Sequence, residues 1–112
     1  MDIETELRGA SRLITIQDER IDAAVAIQFK DKMRAISDEG EAHLVVDLTK
    51  VSFVDSSGLG AIVASMKQLK PGQKIELAGL TPTVQKVFRL TRMDSVFTIH
   101  EDVTSAFAAT AN

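Results

Sequence analysis

The chain opens on alternation. Ile3, Thr5 and Leu7 interleave with Asp2, Glu4, Glu6 and Arg8, and beyond Gly9-Ala10-Ser11 come Leu13, Ile14 and Ile16, then the polar run Gln17-Asp18-Glu19-Arg20. Two period-two segments joined by a short glycine turn predict a β-hairpin, so the sheet begins antiparallel. From Asp22 the period lengthens. Ala26, Phe29, Met33 and Ile36 recur at three and four residues, the stripe of an amphipathic helix with Asp22 as expected N-cap and Gly40 beyond its end. Leu44-Val45-Val46 predicts a buried strand closing at Asp47, and Val51 to Val54 reads as its short apolar continuation.

After Asp55-Ser56-Ser57-Gly58 the residues Leu59, Ile62, Val63, Met66 and Leu69 form a second helical stripe, ended by Pro71-Gly72. Ile75 and Leu77 mark a strand. Thr81-Pro82 starts a third helix, a capping hydroxyl before proline at the first helical position, with Val84, Val87 and Phe88 facing inward. Val96, Phe97 and Ile99 predict the last strand, and Val103, Ala106 and Phe107 the last short helix. The order ββαβαβαβα implies one α/β domain over residues 1–112, a mixed central sheet opening with a hairpin and covered by about four helices.

Composition narrows the function classes. A 112-residue chain that is 45% apolar can bury one core. With 13 basic and 16 acidic residues mixed along the chain, its formal charge is -3, which points to neither nucleic acid nor an anionic membrane. Cysteine is absent, which excludes disulfides, thiol nucleophiles and thiolate metal sites. The acidic start Met-Asp-Ile-Glu-Thr-Glu is unlike a signal peptide, no apolar run approaches a membrane span, and the cytoplasm is the expected location.

One segment reads as more than scaffold: Val51-Ser52-Phe53-Val54-Asp55-Ser56-Ser57-Gly58-Leu59-Gly60. A strand turns there directly into a helix, whose first N–H groups lack partners and carry the positive end of the dipole. Ser56 and Ser57 bring hydroxyls to that end, and Gly58 and Gly60 leave room for close approach, a position that favours an added anion such as phosphate on serine. Spacing alone favours the plainer reading, in which Ser56 or Ser57 is an N-cap. Enzymatic alternatives fit poorly. Val-Asp-Ser-Ser-Gly is not a nucleophile elbow, no Gly-Lys-Ser/Thr follows the glycines, Val63 stands where a dinucleotide fingerprint needs glycine or alanine, and His43 and His100 read as surface residues. A receiver domain phosphorylated on Asp55 would need an acidic pair after a parallel first strand, which the hairpin does not supply. Asp22 and Asp47 are explained by capping and a strand-end turn. Lys86, Arg89 and Arg92 fall on one face of the third helix, where an acidic partner or solvent would meet them.

The stretch Val45-Val46-Asp47-Leu48 through Asp55-Ser56-Ser57-Gly58-Leu59-Gly60, with Ala78-Gly79-Leu80-Thr81-Pro82-Thr83-Val84 later, resembles the STAS domain, and within it the free-standing bacterial anti-sigma factor antagonists. The resemblance implies a regulator rather than an enzyme, with no metal or cofactor. It implies Ser56 as phosphoacceptor and Asp22, Asp55, Ser56, Ser57, Gly58, Leu59 and Gly60 as the partner-binding set. The implied partners are an ATP-binding anti-sigma factor of histidine-kinase-like fold, which is the serine kinase, and a PP2C-type phosphatase. The unmodified form would free the sigma factor, and phosphorylation would break the complex. The family's Gly-Glu-Leu/Ile-Asp run before the first helix appears here as Glu19-Arg20-Ile21-Asp22, a charge reversal at Arg20 that implies a partner surface of altered charge. A constitutive STAS subunit of a signalling or transport assembly, and a nucleotide or small-molecule sensor, are the alternative functions.

Overall fold

The computed structural model describes residues 1–110, with side chains through residue 108. Strands β1 (Ile3–Arg8) and β2 (Ser11–Ile16) form the expected hairpin, with Ile3 opposite Ile16 and Arg8 opposite Ser11. Its turn is Gly9-Ala10, and Gly9 takes the left-handed φ of +62° that a two-residue turn demands. After β3 (Arg20–Ile21) come α1 (Ala26–Ser37), β4 (His43–Asp47), β5 (Phe53–Val54), α2 (Ser56–Lys67), β6 (Lys74–Ala78) and α3 (Pro82–Leu90). A short 3-10 turn at Met93–Ser95, β7 (Thr98–His100) and α4 (Val103–Thr110) complete it. The main sheet runs β1-β2-β4-β6-β7, antiparallel only at the hairpin.

Alternate strand residues point to opposite faces. Ile14, Ile16, Leu44, Val46, Ile75 and Leu77 pack with Phe29 and Met33 of α1, Ala61 and Ile62 of α2, and Val84 and Phe88 of α3 in the main core. Leu13, Val45 and Ala78 face the other way and pack only with Ala106, Val103 and Phe107 of α4. The helices therefore cover the sheet unequally, three against one.

Several local expectations are corrected. Val51 to Val54 does not continue β4: Leu48 and Val51 close a turn, and Phe53–Val54 pair in parallel with Arg20–Ile21 in a separate two-stranded sheet. The buried face of α2 is Gly58, Ala61, Ile62 and Ser65, so of the expected stripe only Ile62 is fully buried while Leu59, Val63, Met66 and Leu69 pack at the margin. Small residues occupy the centre because α2 lies close against its neighbours. Thr81 precedes α3 as expected, but its hydroxyl donates to the Val51 carbonyl at 2.8 Å instead of capping the helix. Val96 and Phe97 lie before β7; Phe97 is buried edge-on against Phe88, while Val96 is exposed. Arg92 has left α3 and adopts a left-handed φ of 60°.

Candidate functional site

The two-residue sheet carries residues 20–23 alongside residues 53–56. Arg20 lies opposite Phe53 and Ile21 opposite Val54, and beyond the pairing Ile21's carbonyl accepts the Asp55 amide at 3.3 Å. Asp55 is the N-cap of α2. Its extended backbone directs the carboxylate back to the Gly58 N–H at 2.8 Å, and the other carboxylate oxygen accepts the Ala23 N–H at 3.1 Å. One side chain thus ends one helix and holds the turn that leads into the other. The Gly58 amide is the main cause that holds the Asp55 carboxyl below its usual value; partial desolvation opposes it, and the Ala23 and Ser57 amides and the Arg20 charge add to it.

This geometry overturns the plain-cap reading of the serines. Ser56 and Ser57 are the first residues inside the helix, both exposed, and among the described residues neither hydroxyl has a hydrogen-bond partner. The glycines divide their roles. A Cβ at Gly58 would lie 1.9 Å from the Ile21 carbonyl oxygen, so Gly58 serves a backbone crossing inside the fold and leaves no room for an outside molecule. Gly60 is exposed, and a Cβ there meets nothing within 4 Å. Leu59 is half-buried at the margin of the core.

Asp22 does not cap α1, which starts at Ala26 after Val25 with no side-chain cap. Its carboxylate instead closes a turn, taking the Ala24 N–H at 3.1 Å, and its second oxygen pairs with Arg20 Nε at 3.2 Å. The Arg20 guanidinium also lies over the Phe53 ring, 4.2 Å from its centroid. Asp47 forms the expected strand-end turn with the amide and hydroxyl of Thr49. Among the described residues no group of three or more His, Cys, Asp or Glu could hold a metal ion, and no helix is long and apolar enough to cross a membrane.

The histidines are not surface residues. His43 is buried on the α4 face, where Nδ1 meets the Ser11 hydroxyl at 2.9 Å and Nε2 meets Glu76 Oε1 at 2.6 Å. His100 Nε2 reaches the same Glu76 oxygen at 3.2 Å, and Phe107 of α4 stands edge-on to the His43 ring. Burial raises the Glu76 carboxyl, but hydrogen bonds from both histidines and the electrostatic pull of His43 and Lys74 outweigh it and hold it below the usual value. This row joins four strands and lies on the opposite side of the sheet from the α2 core; alternation within β4, buried on both faces, gave no sign of it.

The chain is similar to known proteins in sequence and in fold. The anti-sigma-B factor antagonist of Listeria monocytogenes is 30% identical over 98 residues, 87% of this chain and 86% of that protein. An anti-sigma factor antagonist from Mycobacterium paratuberculosis superposes with a TM-score of 0.89 at 21% identity, over 99% of this chain and 94% of that one. The phosphorylated form of the Bacillus cell fate determinant SpoIIAA superposes with a TM-score of 0.70 at 20% identity, over 97% and 99%. The two superpositions establish a shared fold. With a STAS domain model matching residues 2–106, from the hairpin through α4, the chain belongs to the STAS domain family.

Proposed function

We propose that this chain is an anti-sigma factor antagonist whose partner binding is switched by phosphorylation of Ser56. The observation that carries the reading is the cap: because Asp55 satisfies the amino end of α2, the Ser56 hydroxyl stands exposed with no internal role. The unmodified chain binds an ATP-binding anti-sigma factor of histidine-kinase-like fold and frees the sigma factor. That partner is also the kinase. Ser56 Oγ attacks the γ-phosphorus of ATP held by the partner, its new O–P bond forms as the bond to ADP breaks, and the hydroxyl proton passes to a base on the partner. A PP2C-type phosphatase restores the serine with water. The chain is the substrate and supplies no cofactor, and it acts in the cytoplasm, where its partners are.

Phosphorylation adds about -1.5 to -2 charges to a side chain that was neutral. The helix dipole stabilises that charge in the free domain. In the complex the partner surface would close over the same charge beside Asp55, at a cost of several kcal/mol. The binding face comprises Asp55, Ser56, Ser57, Leu59 and Gly60 and extends across the Asp22 turn to Ile27, an isoleucine 71% exposed in the first turn of α1.

The test is a pull-down from source-cell lysate with three baits: the unmodified chain, Ser56→Ala, and the chain carrying phosphoserine at position 56. An ATPase of histidine-kinase-like fold is expected with the first two and not the third. Equal capture by all three baits would sink the switch and favour a constitutive assembly subunit.

A further inference from the structure

Arg20 has no place in the chemistry above, yet its charge reaches Asp55, the residue before Ser56. An open depression of about 360 Å³ is lined by Asp18, Glu19, Arg20, Asp22, Ala24 and Val25. Of these residues Arg20 is positive, and Asp18, Glu19 and Asp22 are negative. Asp55 next to Ser56 is another anion, so a phosphate on Ser56 would enter a strongly anionic setting with one favourable neighbour.

We infer that Arg20 is the internal counter-ion of phosphorylated Ser56, and that its guanidinium exchanges Asp22 for the phosphate when Ser56 is modified. The inference rests on the Ser56 reading and deepens it. Register brings the two residues within reach: Arg20 lies opposite Phe53, and three residues of extended chain from Phe53 to Ser56 span about 10 Å, a gap closed from one end by the long arginine side chain and from the other by phosphoserine. The charge of Arg20 is already felt at Asp55, the residue before Ser56.

The present pairing is weak enough to give up. Arg20 is 60% exposed at the side chain and meets Asp22 through Nε alone, and among the described residues its terminal nitrogens make no hydrogen bond. An exposed single contact of this kind holds little. A phosphate offers more charge than a carboxylate and three oxygens that match the guanidinium fork. The Phe53 ring beneath keeps the guanidinium plane in place during the exchange.

The exchange would change the binding face at a second point. Asp22 loses its cation, and the turn it closes with Ala24, which leads to Ile27, gains an unpaired negative charge. Phosphorylation would then alter the α1 side of the face as well as the α2 side.

The experiment uses the full chain with phosphoserine incorporated at position 56 during translation, followed by ³¹P NMR against pH. In the wild-type chain the last phosphate ionisation is expected to lie roughly half a unit to one unit below that in Arg20→Gln, with Arg20→Lys, which keeps the charge and loses the fork, in between. The Arg20 Nε resonance of the wild-type chain is expected to move on phosphorylation, a readout that needs no variant. Coincident titrations of wild type and Arg20→Gln, or an unmoved Nε resonance, would overturn the inference. Because the phosphate is installed without a kinase, that result sinks the Arg20 role alone. A phosphorylated chain still captured by the anti-sigma partner sinks the switch alone.

Discussion

Gly58 and Gly60, two residues apart, separate folding from recognition. A methyl at Gly58 would overlap the Ile21 carbonyl, which is backbone of a fully buried residue and cannot swing aside. Gly58→Ala is therefore expected to cost about 3 kcal/mol in urea unfolding, with α2 pushed off β3. Gly60→Ala meets open space and removes a helix-interior glycine, so it should stabilise the chain by up to about 1 kcal/mol. If Gly60 belongs to the binding face, the same variant weakens capture of the anti-sigma partner although the fold is firmer. A Gly58→Ala chain as stable as wild type would contradict the crossing. Sequence placed both glycines at the start of a helix, but only the neighbouring strand distinguishes them.

At the scale of elements, the row Ser11, His43, Glu76 and His100 ties β2, β4, β6 and β7 together beneath α4. The Glu76 carboxyl is lowered in the fold from an ordinary value of 4.5. Its contribution is therefore fully present above that value, where the unfolded chain is also ionised, and is lost as pH falls through the folded value. Stability measured by urea unfolding should drop below about pH 4.5 in the wild type and drop less in Glu76→Gln. At pH 7 the variant should be weaker by about 1 to 3 kcal/mol, since it leaves the buried His43 and the half-buried His100 with a poorer partner. Parallel acid limbs in the two chains would refute this account. The histidines were read as surface groups because a strand buried on both faces shows no polar side; β4 is apolar at Leu44, Val45 and Val46 whichever way they point. β3 and β5, two residues each, are too short to show any period, so the small sheet that positions Asp55 was read as a continuation of β4.

For the whole molecule, three helices cover one face of the sheet and α4 alone the other. The three helices on the main core expose a common end at which the starts of α1 and α2 are tied by Asp55. Ile27 protrudes there without helping the core, so Ile27→Lys should leave stability within about 0.5 kcal/mol of wild type. The same change should weaken the complex with the anti-sigma partner by roughly tenfold or more, the loss of one well-packed apolar contact, measured by calorimetry on the purified pair. Unchanged affinity would move the binding face away from α1. The β1 edge of the sheet is protected: it presents Glu4, Glu6 and Arg8, charges that discourage strand addition.

Features that depend on near neighbours in the chain are legible without the fold. The hairpin, the helical stripe of α1, the proline start of α3 and the element order each follow from local spacing, and the Asp-Ser-Ser-Gly segment carries the resemblance to the STAS family. Tertiary structure decided what depends on residues far apart. Aspartate and serine are equally good caps by composition, and only the Ala23 amide, 32 positions from Asp55, gives that carboxylate its second bond. Asp55 caps α2 through the Gly58 amide, and the long-range Ala23 contact ties that cap to the start of α1 while the Ser56 hydroxyl keeps no internal role.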